Sequence, residues 1–273
     1  MNHIELPIIG YVRSPLVQKF GIPRQPNLVN VRAQLEFVPP FGNPQAFVGI
    51  EQFSHLWVIW QFHQALHDTP FGVAGQNFRP QVRPPRLGGN AKIGVFASRS
   101  MFRPSGLGLS VVQLAGMQVV DGQTQLDIIG ADMVDGTPVV DVKPYLAYSD
   151  RVAATSGYAD TPPGHKLVTW QAQAQMQLDQ LIQIGALAHD DGAIIHALIA
   201  QDPRPAYRKH DDGRVYSVRY GKIDVDFVPD GQGLAVVALR ECDWSNWWVQ
   251  KGRGHNKKNT PILTQILPTD NNT

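Results

Sequence analysis

Short apolar runs, each closed by glycine or proline, dominate the first 150 residues. Ile8-Ile9-Gly10-Tyr11-Val12 is the first of them. Phe53–Phe62 (FSHLWVIWQF) is aromatic and β-branched along its length, the composition of a buried strand. Ile93–Phe96 follows a Gly-Gly-Asn turn signal. Leu109–Val120 and Gln125–Ile129 flank Asp121-Gly122, a dipeptide that favours a tight hairpin because both positions accept positive φ. Val139–Val142 is closed by Lys143-Pro144. Short strands with this punctuation predict a small all-β barrel or sandwich.

The pattern then changes. Ser149–His165 (SDRVAATSGYADTPPGH) is small, polar and proline-containing, and reads as a linker. Across Leu167–Leu187 the apolar positions Leu178, Leu181, Ile182 and Ile184 follow a helical spacing. Asp190-Asp191-Gly192 resembles an N-cap, and Ala193–Gln201 continues as helix until Asp202-Pro203 stops it. Val215–Val228 and Leu234–Leu239 predict a hairpin across Pro229-Asp230-Gly231. The expected organisation is mainly β with an α+β second domain: a barrel over 1–150, a linker over 151–165, a small α+β domain over 166–240, and a polar tail over 241–273. That tail holds Trp244, Trp247 and Trp248 beside Lys251, Arg253, Lys257 and Lys258.

Composition narrows the function classes. With 43% hydrophobic and 17% charged residues among 273, a disordered chain is excluded. A net charge of +1 means that any nucleic-acid footprint must be a local patch. The single cysteine, Cys242, excludes an internal disulfide and a cysteine-based zinc finger. The N-terminus lacks the basic and apolar regions of a signal peptide, and no stretch has 18 consecutive apolar residues. A cytoplasmic protein without membrane spans is expected.

Familiar catalytic motifs are poorly supported. Gly106-Leu107-Gly108 lacks the third glycine of a dinucleotide fingerprint, and a strand follows where a helix should open. His63 and His67 have a metal-ligand spacing, but neither a metalloprotease glutamate nor a third ligand accompanies them, so no metal is expected. There is no G-x-S-x-G elbow and no phosphate-binding loop. What stands out instead is a set of polar segments at strand ends carrying Arg24, Arg83, Arg86, Arg99 and Arg103. Gathered on a barrel rim, these planar cations would suit phosphates and stacked bases.

Five ordered segments carry a resemblance to a known family. They are KFGIPRQPNLV (Lys19–Val29), FSHLWVIWQFHQ (Phe53–Gln64), VRPPRLGGNAKIGVFASRSMFRPSGLGLSVVQL (Val82–Leu114), DMVDGTPVVDVKPYLAY (Asp132–Tyr148) and QDPRPAYRK (Gln201–Lys209). The chain closely resembles the TsaA-like β-barrel family, bacterial tRNA methyltransferases that act on threonylcarbamoyladenosine. The match covers most of residues 5–240.

The resemblance implies a small antiparallel β-barrel, a homodimer, and S-adenosylmethionine bound near the subunit interface. The implied reaction methylates N6 of the modified adenosine beside the anticodon. Cofactor positions carry over to Pro23, Arg24 and Gln25, to His63 and Gln64, to Arg99 and Leu109, and to Met133, Val134, Asp135 and Gly136. In chemical terms, Arg99 or Arg24 would pair with the cofactor carboxylate, Asp135 with its hydroxyl or amino groups, and Leu109 and Met133 would cover the adenine. Arg83, Arg86, Arg103, Arg204 and Tyr207 are candidate tRNA contacts, with Arg103 or Arg86 placed to read the threonylcarbamoyl carboxylate. Asp132, Asp135 and His63 are all candidates for helping N6 lose its proton, and the residues alone do not choose among them. One departure is clear: relatives commonly read Asn-Pro-Ile-Gly where this chain has Ser105-Gly106-Leu107-Gly108. Removing the second domain near Ser149 is expected to weaken tRNA binding more than cofactor binding. A competing reading is a non-catalytic RNA-binding β-barrel, for which cofactor binding is the discriminator.

Overall fold

A computed structural model describes residues 4–65, 78–205, 213–231 and 233–242. Six antiparallel strands close a barrel in the order β1-β2-β7-β6-β3-β8. They are β1 (Gly10–Arg13), β2 (Arg32–Phe37), β3 (His55–Gln61), β6 (Leu107–Val120), β7 (Gln123–Ile129) and β8 (Pro138–Pro144). A two-stranded ribbon, β4 (Gln81–Val82) with β5 (Ile93–Gly94), lies within the β3–β6 connection. Pairing of Gly10 with Val139 closes the barrel. Inward side chains alternate along the strands as pleating requires: Leu56, Val58 and Trp60 on β3 meet Val112 on β6 and Leu126 and Ile128 on β7 in one core.

The pattern reading did not include β2, although Val29, Val31, Ala33, Leu35 and Phe37 alternate with polar residues over nine positions. Its polar side chains are paired with neighbours. Arg13 pairs with Glu36, and Gln34 donates to Asp127 at 2.8 Å.

The antiparallel register fixes which loops share an end. Gln61 faces Leu107, Gln113 faces Ile129, Ile129 faces Arg32, and Tyr11 faces Pro138. One rim therefore collects residues 14–31, 62–65, 78–106 and 130–137. The opposite rim carries residues 38–54 and the Asp121-Gly122 hairpin, where both residues take positive φ, 50° and 74°.

After the short α1 (Ala147–Asp150), a second layer begins with β9 (Val168–Trp170). The helical pattern expected from Leu167 starts later, as α2 (Ala172–Gln183), because Val168-Thr169-Trp170 pairs in parallel with the last strand of the sheet. Ala174, Leu178 and Leu181 face inward from α2, and Ile194, Ile195, Leu198 and Ile199 from α3 (Asp191–Ala200). Both helices share a core with the sheet β10-β11-β12-β9. The predicted single strand Val215–Val228 is two, β10 (Tyr216–Tyr220) and β11 (Ile223–Asp230), because Gly221 at φ 58° reverses the chain; β12 (Gly233–Glu241) follows.

Met1–Arg240 forms one compact unit, and residues 14–31 explain part of that cohesion. Leu16, Val29 and Val31, from the β1–β2 connection of the barrel, are buried in the second core. Leu16 bridges to Tyr220, Gly221 N–H donates to the Pro15 carbonyl at 2.7 Å, and Val218 occupies the space a side chain on Gly21 would need. The loop is thus built on the barrel and packed by the sheet.

Candidate functional site

Three stretches, residues 19–27, 62–64 and 99–111, are tied together at the loop-rich rim. Arg99 Nη1 donates to Gln25 Oε1 at 2.6 Å, and Lys19 Nζ donates to the Gln64 carbonyl. Phe62 N–H donates to the Gly106 carbonyl at 2.9 Å, and Asn27 Nδ2 to that of Val111 at 2.9 Å. The structure thereby brings Gln25, Gln64, Arg99 and the start of β6 to one place. Arg24 and Leu109 are exposed, while Pro23 is buried and His63 and Gln64 are half-buried.

The start of β6 is shaped by an aromatic side chain. A side chain on Gly108 would fall on the indole ring of Trp60. Phe62 meets that indole edge-on at 4.3 Å. Trp60 Nε1 donates to Ser110 Oγ at 3.0 Å, and Ser110 Oγ donates to Asp132 Oδ1 at 2.6 Å. Gly108→Ala is therefore expected to lower stability by about 1–3 kcal/mol through overpacking, read as a fall in Tm, without a change in oligomeric state.

Asp132 ends that relay. Burial pushes its carboxyl up to about 6, against the Ser110 hydrogen bond, its own backbone N–H and the charge of Arg99, which favour ionisation. It is half-buried, so it remains in reach of a ligand at the rim.

The neighbouring turn is more fully committed to the fold. Thr137 N–H and Oγ1 both donate to the Val134 carbonyl, with Gly136 at φ 74° as a type II turn needs at its third position. Met133 and Val134 are buried in the barrel, and the N–H groups of Asp135 and Gly136 bond to the carbonyls of Leu16 and Val12. Asp135 Oδ1 accepts from Ser14 N–H at 3.1 Å. The Met133 side chain is 1% exposed and so turns into the core rather than toward a ligand.

The other arginines are distributed unequally. Arg83 is exposed. Arg86 is exposed too, but donates to the Tyr158 carbonyl at 3.1 Å and to Thr161, fastening the linker to the turn at Pro85–Leu87. Arg103 donates to the Ser98 carbonyl at 3.1 Å and lies over the Phe96 ring at 5.5 Å. Arg204 is 3% exposed and grips buried Asp202 through Nε at 2.7 Å and Nη2 at 3.1 Å, so its guanidinium serves packing within the fold. Tyr207 and His67 lie outside the described residues.

Residue-by-residue reading passed over one feature. Arg79 stacks on Phe102 at 4.9 Å, and Phe78 lies 6.1 Å from Phe96, so exposed aromatic rings and guanidiniums form one patch. A repeated Phe-Arg-Pro, at 78–80 and 102–104, was its signal in the sequence. Such interleaving suits unpaired nucleotide bases.

Comparison with known proteins adds to this geometry. Residues 11–151 match the tRNA-methyltransferase O N-terminal domain, and residues 163–242 match the TrmO C-terminal domain. The Escherichia coli protein named tRNA (adenine(37)-N6)-methyltransferase is 38% identical over 243 residues, spanning 88% of this chain and 99% of that one. The Pseudomonas aeruginosa protein RcsF, whose name assigns it as an S-adenosylmethionine-dependent methyltransferase, is 47% identical over 227 residues, covering 82% and 92% of the two chains. A crystal structure of TrmO from Pseudomonas aeruginosa superposes with a TM-score of 0.70 at 36% identity, covering 88% of this chain and 98% of that one.

Proposed function

Because the chain belongs to the TrmO family of tRNA methyltransferases, we propose that it uses S-adenosylmethionine to methylate N6 of adenosine 37, next to the anticodon of tRNA. The observation that carries this reading is the convergence of Gln25, Arg99, Leu109 and Asp132 on one barrel rim.

The residues present fit the cofactor. Arg99 retains a planar fork of donors for a carboxylate after giving one to Gln25, and exposed Leu109 offers apolar cover. Asp132, a carboxyl within the field of Arg99, is suited instead to a proton-bearing group of the substrate. Pro23, Arg24, His63, Gln64 and the Met133–Gly136 turn frame the same rim. When bound, S-adenosylmethionine supplies a methyl group on a positively charged sulfur, which leaves as a neutral thioether. The protein's task is mainly to hold the accepting nitrogen in line with that methyl and sulfur. A rim made only to grip RNA has no need of the buried relay behind Asp132.

The substrate form is threonylcarbamoyladenosine, and Arg103 reads its carboxylate. Support comes from the place of Arg103, beside exposed Phe96 in the aromatic patch. The working unit is a homodimer, supported by exposed Phe78, Phe96, Met101, Phe102 and Leu109 at the rim. The setting is cytoplasmic; among the described residues no helix is long and apolar enough to cross a membrane.

The test is nucleoside mass spectrometry of tRNA incubated with the protein, with and without S-adenosylmethionine. The expected result is one added methyl on threonylcarbamoyladenosine only when the cofactor is present. Tight tRNA binding without methylation would overturn the reading. In the same assay, Arg103→Ala is expected to reduce the preference for modified over unmodified tRNA by about 10–100-fold, the loss typical of one charged contact. An unchanged preference would remove Arg103 from that role.

A further inference from the structure

We propose that Asp132 is the proton acceptor for N6 of the target adenosine, with Ser110 and Trp60 as positioning residues that hold its carboxylate at the rim. This rests on the methyltransferase reading and extends it to a step that reading leaves open.

The need for an acceptor follows from proton balance. A carbamoylated N6 carries one hydrogen, and its methylated product carries none. The N6 lone pair forms the new N–CH3 bond, and the electron pair of the broken S–CH3 bond goes to sulfur. The N6 proton passes to Asp132, the N–H pair stays on nitrogen, and the carboxylate becomes a neutral acid that later loses its proton to water. The N6 lone pair is delocalised into both the purine and the carbamoyl group. A base acting as the bond forms therefore gives more than one acting afterwards.

Asp132 has the geometry for this work. One carboxylate oxygen is fixed at 2.6 Å by Ser110, which is fixed in turn by Trp60 Nε1 at 3.0 Å. Ser110 is 1% exposed and Trp60 6%, so the relay is anchored in the barrel core while Asp132 reaches the rim. Arg99, the charged group that acts on Asp132, is itself held by Gln25. Asp135, the other carboxyl of this stretch, instead caps Ser14 N–H on the β1 side. A carboxyl pushed up to about 6 is ionised near pH 7 yet basic enough to take a proton.

The sign of the pH dependence follows. Activity requires the ionised form, so kcat falls as pH drops through about 6. Because the carboxyl ionises less readily in the fold than its ordinary value of 3.8, ionised Asp132 works against the native state once pH exceeds that value. A neutral isostere relieves this. Asp132→Asn is thus expected to lower kcat at least 100-fold, to leave the affinity for S-adenosylmethionine within threefold, and to raise the Tm of the ligand-free protein at pH 8 but not at pH 4. A purely structural aspartate would lower Tm at both.

A kcat within threefold of the unaltered protein would overturn the proposal. So would loss of cofactor affinity in proportion to activity, since Asp132 would then be a binding residue. If Asp132→Asn does not fold, Ser110→Ala decides. Loss of that hydrogen bond should move the acid limb of kcat to higher pH while the high-pH plateau holds, and an unmoved limb would overturn the relay. Failure of the unaltered protein to transfer methyl would overturn the reading beneath, and the proposal with it, and is distinguished by that control alone.

Discussion

Ending the chain at residue 150 is expected to leave a barrel that neither binds S-adenosylmethionine nor stays monodisperse. Leu16, Val29 and Val31, all 3% exposed or less, lie in the second core, with Phe20 and Ile22 packed against it. Each such side chain returned to water costs about 1.5–3 kcal/mol, so the five together rival the roughly 5–15 kcal/mol net stability of a whole domain. The damage concentrates on residues 14–31, which present Gln25 to Arg99 and carry Lys19 to the Gln64 carbonyl. A tRNA contact in the second domain would make tRNA binding suffer more than cofactor binding, whereas the packing of residues 14–31 predicts a loss of both. Calorimetric titration with the cofactor, alongside light scattering, is the check. A soluble truncated barrel with undiminished cofactor affinity would show that the loop keeps its shape without the sheet.

Arg99→Ala should produce the second large effect, a drop in S-adenosylmethionine affinity of about 10–100-fold, as expected for removing a charged hydrogen-bond partner. The arginine is exposed, so little stability should be lost with it. A second signature separates this from general damage. Arg99 helps to keep Asp132 ionised, so its removal should move the acid limb of kcat further up in pH, at saturating cofactor. Titration of affinity and pH–rate profiles on the same preparation test both. Lost affinity with an unmoved limb would place Arg99 at the cofactor but away from the carboxyl.

The barrel was legible where patterning was strong. The β3 run and the Asp121-Gly122 hairpin needed only composition and turn chemistry. β2 escaped because its apolar residues alternate with arginine, glutamine and glutamate and no turn signal opens it, although Pro39-Pro40 marks its far end. β10 and β11 merged for the opposite reason: Gly221 is one residue inside an otherwise continuous strand pattern. At the site, Arg99 and Gln25 could be named from motif resemblance, but their hydrogen bond spans 74 positions and no local pattern encodes it. The relay through Trp60 and Ser110 was further from view, since a buried serine on a strand looks like any small residue until its partners are known. Arg204 marks the converse limit. An arginine after a proline stop reads as surface, and only the fold shows it facing Asp202.

The shared loop also sets where this protein can be cut and rejoined. Recombination between relatives at the linker, residues 151–165, would give a hybrid sheet a foreign set of residues 14–31 to pack. Val218 from one parent would meet position 21 of another, and that glycine stands at φ 89° with no room to give. Functional chimeras should therefore inherit residues 14–31 together with 166–240, as one heritable block interrupted in sequence by most of the barrel.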